Sequence, residues 1–594
     1  MRMIIGLLLF WISIFGYLLL LKKKTKLPYE FILPIVFTLI GIVMFVAGIL
    51  NMMKEITILV CLFGCIIFGI KLFKKEIKFR ELLKSNFIIL LLIFVYITVV
   101  CGRMNILHYD NFSHWGLIVK NMFINNRLPN FENPVIEFKN YQPGSACFIY
   151  YFGALVGKSE GSMIIGQNYL LVAYFFSLLA FTNPIKKLKN KKNLILKVML
   201  VVVFLFMLFG NIAFNDLLVD TLIAVMSIFS FALIYYFRDD LKKAFIYNLP
   251  LLVYLFLVKN TGIVLVGFSC LGLVYLGFRN KQFKKGFIYA ILTGIITVIF
   301  FYIWSKHVSY VYGVISLSSK HSLSASNMGG QLLAKGWSGI FEFCKIYLNH
   351  FIDVFNNLPN KYMIGIYSVV LVMICFYKKY RKDFINCLIV ITIIYFMYYG
   401  ILGVMYLLSM PWAEASYLAG FDRYMLTIIF IIIGIVLICF INVVMKDKEF
   451  KKSYLFVTLV AGIFLVLSFK YHINDYKILL GDLDYENTTA YKFDEILETD
   501  RYSANYNDYY YIYAPIASYN DSGYVYYLSK YKLNTDKVNV VKDTNQFDEE
   551  ISDTYNKKIL LLDVDKEILN FIEENDYIRN GNIYIKYNKE ENRN

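Results

Sequence analysis

The chain has 594 residues, of which 58% are hydrophobic, 18% aromatic and only 17% charged, with a mean hydropathy of +0.56. Soluble globular chains carry about 25% charged residues, so this composition excludes an ordinary soluble enzyme, and equally a disordered, collagen-like or disulfide-stapled chain. The formal charge of +17 is unevenly placed: residues 470–594 hold 15 basic and 24 acidic residues, a net −9, which leaves +26 on residues 1–469.

A bilayer core of about 30 Å needs roughly 20 apolar residues as helix. Runs of that kind lie at 3–21, 31–50, 56–73, 87–101, 163–181, 194–209, 218–237, 245–258, 262–278, 286–304, 363–377, 384–407, 424–445 and 453–469. These fourteen candidate spans predict an all-α polytopic membrane bundle. Every second loop is basic: Lys22–Lys26, Lys71–Lys84, Lys186–Lys197, Arg238–Lys243, Arg279–Lys285, Lys378–Lys382 and Lys446–Lys452 together hold about 31 of the 60 basic residues. By the positive-inside rule these loops are cytoplasmic, which puts the N-terminus and the acidic tail outside the cell membrane. The first span then reads as an anchor, since no small-residue cleavage site follows it. Residues 143–156 are apolar but reach only about 21 Å as helix. They are expected to form a re-entrant or interfacial helix, because a further crossing would put Lys186–Lys192 on the wrong side.

Three regions follow: N-terminal helices over 1–86, a transmembrane module over 87–469 with outer loops at 102–162 and 305–362, and an extracytoplasmic α/β domain over 470–594. In the last, Lys558–Val564 reads as a strand, the run to Glu574 as helix and Gly581–Tyr587 as a second strand. With the basic residues placed by topology and the soluble domain acidic, nucleic-acid binding has no basis. Cys61 and Cys65 sit one helical turn apart in a span with no histidine near, and read as apolar packing.

All six histidines fall on the face opposite the basic loops, and the densest polar cluster there is His108-Tyr109-Asp110-Asn111-Phe112-Ser113-His114-Trp115. If it turns helical near Asp110, that carboxylate and His114 share a face. Asp110 is then either a general base for a hydroxyl nucleophile or a helix N-cap, with Ser113 as the competing cap. Lys259-Asn260-Thr261-Gly262 interrupts an apolar stretch: its ammonium either binds a phosphate or snorkels to the headgroups. Asp422-Arg423-Tyr424 opens a span, and the Arg423 fork suits phosphate as well as it suits an interfacial anchor. Lys320-His321-Ser322 lies in a long loop of the kind that forms lids. Asp216 and Asp220, at i and i+4, are expected to share a helix face and are candidates for a second carboxylate that could help bind a cation, with Asp216 equally suited to capping.

The order of these features, with Asn140-Tyr141-Gln142-Pro143-Gly144 opening the short helix and Lys158-Ser159-Glu160-Gly161 opening the next span, resembles the C-type membrane glycosyltransferase superfamily, which includes protein O-mannosyltransferases and lipid A aminoarabinose transferase. Gln142-Pro143-Gly144 stands where those proteins carry a double proline. The resemblance covers about residues 87–470 and implies an inverting transfer of sugar from a polyprenyl-phosphate donor to a glycan, lipid or protein acceptor. Asp110 would be the base, Lys259 and Arg423 the phosphate ligands, and His114, Tyr141 and His321 the positioning groups. No cofactor is certain; a divalent cation such as Mg or Mn is an option. A polysaccharide polymerase or ligase working through 305–362, and a transporter or flippase of lipid-linked glycans, are the alternatives. The charge-free span interiors speak against the transporter.

Overall fold

Apolar runs of this length satisfy their backbone groups internally as helices, and helices dominate the computed structural model. It describes residues 2–77, 82, 85–132, 135–184, 191–210, 214–313, 325–354, 356–446, 477, 484–500, 508–519, 522–547 and 555–586. The helices in chain order are α1 (Arg2–Thr25), α2 (Tyr29–Ile49), α3 (Met53–Phe73), α4 (Phe87–Cys101), α5 (Gly116–Asn125), α6 (Gly144–Val156), α7 (Glu160–Phe175), α8 (Lys191–Gly210), α9 (Asp220–Tyr236), α10 (Leu241–Val258), α11 (Gly262–Arg279), α12 (Phe283–Tyr312), α13 (Ala325–Ile352), α14 (Leu358–Phe376), α15 (Arg381–Ser409) and α16 (Phe421–Lys446). Boundaries follow local chemistry: Ser159 and Ser162 form a reciprocal capping box at α7, and the Asp240 and Asn357 side chains cap α10 and α14.

Among the described residues ten helices are long and apolar enough to cross a membrane, so the chain is a multi-pass helical membrane protein. Ten of the fourteen predicted runs lie in these helices. Two of the predicted runs form the shorter helices α4 and α9, of 15 and 17 residues, one lies in the 20-residue α8, and 453–469 is outside the described residues. The 305–362 loop is not structureless: α12 runs on to Tyr312, and α13 fills Ala325–Ile352 with a break at Gly336, whose φ of 59° suits glycine. His321 and Lys320 lie outside the described residues, as does His472.

The described parts of the basic loops gather at one end of the bundle. Lys23 meets Glu76 at 3.4 Å, Lys197 donates to the Asn183 carbonyl at 2.7 Å, and Arg279 pairs with Asp239 at 3.1 Å. Phe31 joins these groups by packing on both Phe181 and Tyr236. The N-termini of α9 and α16 and the C-terminus of α10 lie at the opposite end.

Helix α6 is buried inside the bundle rather than lying on its surface. Phe148 packs on Phe37, and Tyr151 and Phe152 pack on Phe10. A Cβ on Gly144 would strike the backbone of Leu257 and Val258, and one on Gly6 would strike that of Leu155 and Val156. Both ends of α6 therefore lie near the same end of the bundle, the geometry of a re-entrant helix covered by protein.

The C-terminal domain contains α17 (Thr489–Asp500), β1 (Asp508–Tyr513), α18 (Ser522–Leu533), β2 (Val538–Val541), β3 (Asn556–Leu561), α19 (Lys566–Glu574), β4 (Ile578–Asn580) and β5 (Ile583–Lys586). The sheet order is β2-β1-β3-β5-β4, with β1 parallel to β2 and β3, and β5 antiparallel to β3 and β4. Alternation along β1 splits its side chains between two cores. Tyr510 and Ile512 pack in the core that takes in Val525 and Leu528 of α18, whereas Tyr511 and Tyr513 pack in the one holding Ile568 and Ile572 of α19.

Candidate active site at one end of the bundle

The polar cluster after α4 folds as a π-helical turn over Asn111–Trp115, a geometry that recurs at functional sites. Asp110 precedes it without capping it. Its carboxylate instead reaches α16, where Arg423 Nη1 donates to Oδ2 at 2.7 Å. Arg423 Nε lies 3.7 Å from Asp220 Oδ2, and Asp220 Oδ1 accepts from Lys259 Nζ at 2.5 Å. The ring of Tyr424 lies 5.3 Å from Lys259 Nζ and 5.5 Å from the Arg423 guanidinium carbon. Two carboxylates and two cations from four separate parts of the chain thus form one chain of ion pairs. The Lys259 and Asp220 side chains are 17% and 5% exposed, so Lys259 is a half-buried cation paired with a buried carboxylate. Arg423 is held by Asp110 and Asp220, not by its neighbour Asp422.

Asp216 corrects the expectation of a shared helix face with Asp220. Helix α9 begins at Asp220, and Asp216 lies in the bend before it, its Oδ1 accepting from Leu218 N at 2.8 Å. That self-made turn holds the segment out of the helix. Burial, with Asp110 and Asp220 adding to it, pushes the Asp216 carboxyl well above the usual range, and Oδ2 is buried with no hydrogen-bond partner among the described residues. The turn is held from two sides: Leu217 N donates to Asn111 Oδ1 at 3.0 Å, and Gln167 and Asn168 of α7 donate to the Leu218 and Phe214 carbonyls.

His114 is buried, its Nδ1 2.7 Å from Ser113 Oγ and its ring packed against Trp115, Phe138 and Tyr141. Burial pushes its pKa down to about 3, so it is neutral at physiological pH. His108 is lowered by burial as well, and its Nδ1 accepts from Asp110 N at 3.2 Å. For Asp110, burial alone would raise the carboxyl, but His114, Arg423 and His108 draw it below the usual range. With His114 neutral, the guanidinium is what holds Asp110 ionised near pH 7. Burial raises the Tyr141 hydroxyl. Next to Tyr141, Gln142 hydrogen-bonds Asn260, which joins the opening of α6 to the Lys259 turn.

The site residues read from the sequence (Asp110, His114, Tyr141, Asp216, Asp220, Lys259 and Arg423) therefore meet at one end of the bundle. Asn111 and Tyr398 went unread. Asn111 ties two turns together, and Tyr398 supports Tyr424 by donating to its carbonyl at 3.2 Å. Asn111 lies within the polar cluster but nothing there marks its role, and Tyr398 sits in no pattern that distinguishes it from other polar residues near a span. For a divalent cation the donors fit poorly. Among the described residues no three His, Cys, Asp or Glu form a metal-holding group, and Asp110 and Asp220 are both occupied by cations. Comparison with family models, with curated proteins and with solved structures finds no match.

Proposed function

We propose that this protein is a membrane glycosyltransferase that moves a sugar from a polyprenyl-phosphate carrier onto an acceptor hydroxyl at the end of the bundle opposite its basic loops. By the positive-inside rule that end is extracytoplasmic, with the C-terminal domain on the same side and the predicted fourteen spans between. The observation that carries the reading is the ion-pair chain Asp110–Arg423–Asp220–Lys259, in which a base and two cations meet beside apolar helices that a lipid carrier can reach.

Asp110 takes the proton of the acceptor hydroxyl as its oxygen attacks the anomeric carbon. The bond from that carbon to the phosphate oxygen breaks, with inversion, and Arg423 and Lys259 hold the departing polyprenyl phosphate. Without ligand the two cations are already neutralised by carboxylates, so the donor phosphate competes with Asp110 and Asp220 for them. Once Arg423 turns to the phosphate, Asp110 becomes the stronger base. His114 and Tyr141 orient sugar or acceptor, a role the resemblance gives to His321 as well.

The test is Asp110→Asn, which preserves size and removes the base. Transfer from polyprenyl-phosphate sugars into envelope glycan should fall about 10²–10⁴-fold, with a cooperative thermal unfolding in detergent showing that the variant is still folded. Full activity in a folded variant sinks the mechanism.

A further inference from the structure

Glu160 is not part of the ion-pair chain, yet it touches what holds Asp110. It is the first residue of α7, and its Oε2 accepts from Ile106 N at 3.0 Å, four residues before Asp110. Its Oε1 lies 3.6 Å from Lys532 Nζ at the end of α18, and Lys532 also pairs with Asp494 of α17 at 2.6 Å. Lys120 Nζ completes the junction by donating to the Tyr531 and Lys532 carbonyls, over the Tyr531 ring at 4.5 Å.

The same face of α18 covers the π-helical turn. Tyr524 donates to the Leu107 carbonyl at 3.3 Å, Phe112 packs on Tyr524 and Tyr531, and Tyr109 packs on Tyr527. Residues 107–112 are thus held by the C-terminal domain on one side, while Asp110 and Asn111 reach into the bundle on the other.

We propose that Glu160 is a positioning residue through which the C-terminal domain sets the place of Asp110. A carboxylate suits the task because one oxygen accepts from the Ile106 amide while the other meets the Lys532 ammonium. The ordinary alternative is an acidic residue favourable at a helix N-terminus, which involves neither Ile106 nor Lys532. Coupling to catalysis rests on the transferase reading; the mechanical coupling does not.

Hydrogen exchange on the full-length protein in nanodiscs separates these. Glu160→Ala removes both contacts and should speed exchange of the 105–113 amides by about ten- to a hundredfold. Glu160→Gln keeps an acceptor for Ile106 and should change them less. Lys532→Met leaves any helix-terminus effect intact and should still speed them several-fold. Unchanged amides in a folded Lys532→Met variant overturn the proposal, and that variant decides alone if Glu160→Ala fails to fold. In a transfer assay, Lys532→Met should move the acid limb of the pH–rate profile upward as Asp110 loosens from Arg423, which a mere loss of folded enzyme cannot do. Faster exchange with an unmoved limb overturns the link to Asp110. A wild-type chain without transferase activity counts against the proposed function, and the exchange data still decide the mechanical part.

Discussion

The two ends of the bundle handle charge in opposite ways. At the basic end the loop ion pairs face solvent, although Glu30 and Lys197 are buried there: Lys243 and Asp240 pair at 2.8 Å with side chains 57% and 41% exposed, and Lys23 meets Glu76 on the surface. At the other end Asp220 is 5% exposed, and its ion pairs with Lys259 and Arg423 lead on to Asp110. Exposed pairs gain little and are screened, whereas buried ions carry a desolvation cost that their partners offset only with good geometry. What sets the second arrangement apart is convergence, since four charges from distant parts of the chain meet there in one connected set. Balanced, converging charge of this kind is what makes this end the candidate site.

The sharpest way to break that contrast is at the cations. Arg423→Met and Lys259→Met should each lower transfer about 10²–10³-fold, the scale of losing one preorganised donor to developing charge. Arg423→Lys keeps the charge but not the planar fork and should recover part of the loss. Michaelis constants for the lipid donor should rise in all three. Activity indifferent to both cations would reduce the polar end to structural ion pairing.

His114 gives a smaller, pH-dependent test of the same buried end. Its pKa falls from the usual 6.5 to about 3 through burial, so between those values the unfolded chain binds a proton that the folded chain does not. Stability is then full above pH 6.5 and falls on acidification, by about 1.4 kcal/mol per pH unit from this group. His114→Phe should flatten the acid side of the melting-temperature profile, read as denaturation in detergent between pH 6.5 and 4.5. An unaltered slope would mean that His114 is solvated.

Much of this was legible in the sequence, because bilayer thickness and the Lys/Arg bias act on composition. The helices fall where the apolar runs lie, and the basic loops collect at one end. Within the C-terminal domain, Lys558–Val564 and Gly581–Tyr587 overlap β3 and β5. The site was legible as residue types but not as pairs. Asp110 and Arg423 are 313 residues apart, and nothing local says that α16 will meet the turn after α4. Asp216 was misplaced because i, i+4 spacing assumes a helix, and an aspartate bonding its own backbone two residues on prevents one. The docking of α18 was unreadable because its contacts with Phe112 and Tyr109 join ordinary aromatic residues more than 400 positions apart.

The smallest expected effect lies at the basic end and completes the contrast. Lys243→Ala removes one member of an exposed i, i+3 pair at the start of α10, where the Asp240 side chain still caps the helix through the Lys243 amide at 3.1 Å. The backbone donor survives the substitution, so what is lost is an exposed Coulomb contact near a helix N-terminus, where a cation is itself slightly unfavourable. Stability should therefore move by less than about 0.5 kcal/mol and transfer activity should not change. Removing several basic residues from this loop together should instead act on topology, since membrane orientation reads the summed Lys/Arg bias and not any one pair. A reporter fused between Arg238 and Lys243 would show that as mixed orientation, with the charge quartet at the other end intact in every correctly inserted molecule. If the single Lys243→Ala variant already abolished transfer, charge at the two ends would not differ in kind, and the assignment of chemistry to one end alone would fail.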